Sequence, residues 1–128
     1  MSRKLIITAF IVASLLFAFV VPLPPSSSNA REAVRAALID PDSANFYDVV
    51  TYPKTKGTCG LVNSKNRLGG YGGKKPFVVT ALGVVEFFPD AIYSASRAHV
   101  DNLKEQLAWI ELAKVNCPGS PLIQMVSQ

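Results

Sequence analysis

Few residues in this chain could perform covalent chemistry, and they are spread apart. There is one histidine, His99, two cysteines, Cys59 and Cys117, and an aspartate on each side of a proline, Asp40 and Asp42. A nucleophile needs a base and a group to orient that base. His99 falls in a helical stretch, and Asp101, two positions on, points to a different side and cannot orient the ring. No G-x-S-x-G, H-E-x-x-H or EF-hand pattern is present. Asp40 and Asp42 offer the carboxylate pair that glycoside hydrolysis uses, yet Asp40-Pro41-Asp42-Ser43 is sufficient as a turn and capping sequence. The chain therefore reads as a non-enzyme, with a cell-wall hydrolase using Asp40 or Asp42 as an alternative. Two distant cysteines and one histidine fall short of a metal site, and no cofactor is expected.

The most unusual stretch runs from Lys65 to Lys75 and holds four of the eight glycines within positions 69–73, around Tyr71. Glycine loses so much backbone freedom on ordering that this segment makes a poor strand or helix, so it reads as a protruding loop. A phosphate-binding reading fails: Leu68 stands where the Walker pattern needs glycine, and Lys75 where it needs Ser or Thr. What remains is a tip with one aromatic, flanked by Lys65, Arg67, Lys74 and Lys75 and free of acidic residues. An ordinary solvated hairpin loop has this composition. So does an insertion loop, in which Tyr71 makes a rigid contact and the cations steer toward an acidic target. The candidate binding set is Asn63, Lys65, Asn66, Arg67, Gly69, Gly70, Tyr71, Lys74 and Lys75.

The elements that must position this loop follow from periodicity. Ala33, Val34, Ala37 and Leu38 lie at helical spacing, predicting a short helix over Ala30–Ile39 that Asp40-Pro41 ends. Phe46–Tyr52 and Thr58–Ser64 read as strands, the second with Cys59, Leu61 and Asn63 on one face and Gly60 and Val62 on the other. Pro76–Leu82 and Val84–Phe88 are two further strands around a turn at Gly83. Ser94 to Val115 is a long helix, and Val100, Leu103, Leu107 and Ile110 share the sector expected to cover the sheet. Trp109 and Leu112 lie off that stripe. The tail, Pro118–Val126, is expected to fold over them with Leu122, Ile123, Met125 and Val126; the alternative is a partner contact at Trp109.

The chain of 128 residues opens with Arg3 and Lys4, then an apolar run from Leu5 to Val21, then Pro22-Leu23-Pro24-Pro25. That order is the layout of an export leader, with Ser28 and Ala30 as the small residues before a cut ahead of Arg31. The rival is an uncleaved anchor, because the run is long for a leader core and short for a comfortable span. Residues 1–30 are thus read as leader or anchor and 31–128 as one domain. Without Arg3 and Lys4 that domain keeps eleven basic residues against nine acidic ones. Such a balance excludes a strongly cationic nucleic-acid binder, and the length excludes a multidomain enzyme. In an oxidising compartment Cys59 and Cys117 are expected to pair. Closing their loop restricts the unfolded chain by about 4 kcal/mol.

A resemblance adds to this. Asp40-Pro41-Asp42-Ser43-Ala44-Asn45-Phe46, then Cys59-Gly60-Leu61-Val62-Asn63-Ser64-Lys65-Asn66 and Gly69-Gly70-Tyr71-Gly72-Gly73, resemble a D-P-x-S-A-x-F turn and a C-G-x-V-N-x-K-N…G-G-Y-x-G run. These motifs are similar to those of a family of small, mostly uncharacterised exported proteins of bacteria and their phages. The likeness spans about Val34–Val79. It implies export, a shared fold and a common unit of Asn63, Lys65, Asn66, Gly69, Gly70 and Tyr71, and carries over no catalytic residue. A purely structural unit, with Asn63 and Asn66 capping loop backbone groups, would produce the same run.

The resulting expectation is an α+β domain: an antiparallel sheet of three to four strands, one long C-terminal helix, a short N-terminal helix and one disulfide. Its expected role is that of an exported binding protein, periplasmic or secreted. It would act by protein–protein contact as an inhibitor or immunity factor against another envelope or extracellular protein, acidic at the contact. The alternative is a small subunit of an envelope or secretion assembly, anchored in the inner membrane by the N-terminal helix. No nucleic-acid partner is expected, and membrane contact only through residues 5–21 if they are retained.

Overall fold

The computed structural model describes residues 27–90 and 97–128. The expected leader core and the first residues of the expected long helix, Ser94–Ser96, lie outside these. The described elements are helix α1 (Ser27–Ala36), a 3-10 turn (Pro41–Ser43), strands β1 (Asn45–Thr51), β2 (Thr58–Asn63), β3 (Lys75–Val79) and β4 (Val85–Phe87), then helices α2 (Arg97–Asn116) and α3 (Pro121–Val126). The strands form one antiparallel sheet in the order β1-β2-β3-β4. This is the α+β arrangement that the sequence predicts.

Central strand β2 is buried on both sides, and its alternation sorts the core into two clusters. Cys59 and Leu61 pack with Val78 of β3, Trp109, Ile110 and Ala113 of α2, Cys117, and Leu122 of α3. Val62 packs on the opposite face with Phe77 and Val79 of β3 and with Ala30 and Val34 of α1. A bulge in β1 keeps both faces supplied: Tyr47 pairs with Leu61 and Val50 with Cys59, so three steps on β1 match two on β2. Asp48 absorbs the irregularity with φ 51°. Tyr47 then leans on the first cluster, and Phe46 and Val49 on the second.

The long helix forms, but it presents a different face from the one that its apolar spacing predicts. Val100, Leu103 and Leu107 are exposed; of that stripe only Ile110 is buried. The face against the sheet carries Asn102, Trp109, Ile110 and Ala113. Two polar anchors fix this rotation. The Trp109 indole N–H donates to the Glu86 carbonyl at 3.1 Å, with the ring edge-on to Phe88 at 5.2 Å between centroids. Buried Asn102 donates to the Asp90 carbonyl at 2.9 Å and accepts from the Gln106 amide at 3.0 Å. A hydrophobic wheel ignores an inward asparagine, and a buried tryptophan outweighs any one aliphatic in area removed from water.

The tail closes over the same cluster as expected. Leu122 of α3 is buried with Trp109, and Ile123 and Val126 pack beside it, whereas Met125 stays exposed. Trp109 is therefore covered by its own sheet and tail. Helix α1 also differs from expectation, starting at Ser27 and ending at Ala36 instead of spanning Ala30–Ile39. Its last turn closes through Ala37 N–H to the Val34 carbonyl and Leu38 N–H to the Arg35 carbonyl, each at 3.0 Å.

Cys59 and Cys117 form the predicted disulfide, with 6.3 Å between Cα atoms. It ties β2 to the residue following α2. The β1–β2 turn is held to the same place: the Thr55 hydroxyl donates to the Asn116 carbonyl. A Cβ on Gly57 would meet the Asn116 Cβ at 2.8 Å, so the turn can approach the helix end only with glycine there.

Candidate functional site: the loop between β2 and β3

The loop leaves β2 at Asn63, rejoins the sheet at Lys75, and is built by its own asparagines. The Asn63 side-chain oxygen accepts from the Gly73 N–H at 3.1 Å. The Asn66 side-chain oxygen accepts from Leu68 N–H at 2.9 Å and Gly70 N–H at 3.2 Å. Backbone bonds complete a miniature hairpin: Asn66 N–H to the Gly70 carbonyl at 2.8 Å and Gly69 N–H to the Asn66 carbonyl at 3.0 Å. Lys65 pairs with Tyr71 in an isolated bridge. Gly69 and Gly73 take φ of 79° and 97°, left-handed values that a side chain would make costly. The segment protrudes, as predicted, and has a defined shape.

A second brace comes from the Asp40–Ser43 turn. The Asp40 carboxylate accepts from the Ser43 N–H at 3.3 Å, which is its role as N-cap of the 3-10 turn. The Ser43 hydroxyl donates to the Asp40 carbonyl and accepts from the Lys65 N–H, both at 2.9 Å. Asn45 reaches the Tyr71 hydroxyl at 3.4 Å. The two motif segments that are distant in sequence thus meet at the foot of one loop.

Of the nine candidate residues, Asn63 and Asn66 have their side-chain oxygens occupied in holding the loop. Gly69 supplies conformation, and Gly70 bonds to Asn66 through both its N–H and its carbonyl. Tyr71 is half exposed. Its ring lies 5.8 Å below the Lys65 ammonium, and the Lys74 ammonium sits 4.1 Å above the Tyr47 ring. Lys75 reaches the Asp90 carboxylate at 3.0 Å, so it contributes less net positive charge than its neighbours. Arg67 is exposed.

Sequence reading missed two contributions. Leu68 projects from the tip with 94 % of its surface exposed, more than any other large apolar residue described. A run of glycine and charge conceals a single leucine, although its place inside the tight turn was a usable signal. Arg31 and Arg35 lie over the Phe46 ring at 5.9 and 5.1 Å, next to Asn45, which extends the basic surface onto α1. Between the foot of the loop, Ile39 and the Phe87–Asp90 segment lies an open groove of about 640 Å³, also lined by Lys75.

Among the described residues no three of His, Cys, Asp and Glu gather to hold a metal ion, and no helix is long and apolar enough to cross a membrane. The disulfide is compatible with an exported protein, since such bonds persist in oxidising compartments. The chain matches no protein-family model, no curated protein and no solved structure. The site therefore stands on its geometry and motifs alone.

Proposed function

We propose that this chain is an exported binding protein that acts through the β2–β3 loop, as an inhibitor or immunity factor against an acidic envelope or extracellular protein. The observation that carries the reading is the pre-formed tip. Asparagine bonds hold Leu68 outward at full exposure, beside Tyr71 and the cations Lys65, Arg67 and Lys74. Pre-ordering lowers the entropy that an interface must overcome. An exposed leucine and a tyrosine supply contact area, and the cations supply steering toward carboxylates. The resemblance to small exported proteins supports the same reading.

A second reading, the small subunit of an envelope assembly, is favoured by one feature: the exposed stripe Val100, Leu103 and Leu107 on α2. A helix of a larger complex could cover it. Binding from envelope extract separates the two. Leu68→Ser combined with Arg67→Glu is expected to abolish capture of the partner, while Leu103→Ser combined with Leu107→Ser leaves it unchanged. The reverse pattern would assign the contact to α2.

A further inference from the structure

We infer that the peptide bond between Ala30 and Arg31 stays intact in the exported protein, so that Ser27–Ala30 is a structural turn of the domain. This goes beyond the binding role and rests only on reading Leu5–Val21 as an export segment. By sequence, Ser28 and Ala30 mark that bond for leader removal. The fold gives the same residues a different use.

Helix α1 starts at Ser27 and runs through the bond without a break. Ala30 is 4 % exposed and belongs to the cluster of Val34, Val62, Phe77 and Val79. Ala30 and Val34 are four residues apart, hence on one face of the helix. They are also the two buried residues of α1. Hydrolysis of the bond would consume a water and leave an Ala30 carboxylate and an Arg31 ammonium. It would remove the first four of ten helical residues, among them Ala30, one of the two buried residues of α1.

The remaining piece, Arg31–Ala36, would lose the carbonyls of residues 27–30, to which the N–H groups of residues 31–34 bond in a continuous helix. The new ammonium would stand at a helix N-terminus, where positive charge is disfavoured. It would also join the guanidinium groups of Arg31 and Arg35 around Phe46. A piece this short does not hold helical form by itself. The second core cluster would open above Phe77 and Val79.

The test is the intact mass of the protein recovered from cells that express the complete chain. Soluble envelope and membrane fractions are measured separately, beside a control exported protein whose leader is removed in the same cells. The expected result is that the principal species in each fraction retains Ala30, whether the chain is full length or trimmed upstream. A principal species that begins at Arg31, or later, overturns the inference. Neither result depends on whether the β2–β3 loop binds a partner.

Discussion

Trp109 and Leu107 sit two residues apart on α2 and give opposite expectations. Trp109 is buried and bonded to Glu86, whereas Leu107 is 63 % exposed. Trp109→Ala is predicted to lower unfolding stability by about 3–5 kcal/mol in a urea titration. Leu107→Ala is predicted to change it by about 0.5 kcal/mol or less. Equal losses would mean that the helix packs on the face suggested by its aliphatic spacing. Asn66 acts on shape more than on stability, because its two N–H partners can turn to water when it is removed. Asn66→Ala is predicted to cost about 1 kcal/mol or less, yet to speed amide hydrogen exchange at Leu68 and Gly70 markedly. Unchanged exchange at those amides would show that the loop is held by its backbone alone.

The sheet and disulfide act together, with Cys59 in the central strand and Cys117 just past α2. Replacing both cysteines by serine is predicted to lower stability by about 2–5 kcal/mol, read as a shift in urea midpoint. Gly57→Ala is predicted to lose about 1–3 kcal/mol, because the added carbon meets Asn116 on the same helix end. At this scale the sequence was most legible where periodicity was simple. The alternation of Cys59, Gly60, Leu61 and Val62 predicts a strand with Cys59 and Leu61 on one face and Gly60 and Val62 on the other, and the two core clusters divide along those faces. The glycine density of residues 69–73 predicts the protruding loop, and the position of Gly83 predicts the β3–β4 turn. Legibility failed where a polar group did the packing. Asn102 turns inward because Asp90 and Gln106 satisfy its amide, and periodicity counts asparagine as an outward residue. Helix α1 was misplaced by about a turn because Ser27-Ser28-Asn29 reads as leader boundary and not as helix. The brace from Ser43 to Lys65 spans 22 positions, and no local pattern announces it.

For the molecule at large, the described residues carry eleven basic side chains against nine acidic ones. Any electrostatic steering must therefore come from the placement of charge, not from its total. Lys65, Arg67 and Lys74 surround the loop tip, with Arg31 and Arg35 nearby on α1. Binding through this surface is predicted to weaken as salt rises, since the screening length falls from about 10 Å at 0.1 M to about 3 Å at 1 M. Contact through the α2 stripe would be nearly indifferent to salt or strengthened by it. The central claim is that a pre-shaped loop, rather than a helix face, meets the partner. Its most direct test is amide hydrogen exchange of the complete protein, free and bound to the partner captured from envelope extract. The account predicts new protection confined to residues 65–74 and the adjoining Ile39–Asn45 segment, with α2 unchanged. Protection over Arg97–Ile110, with the loop exchanging as in the free protein, would contradict it.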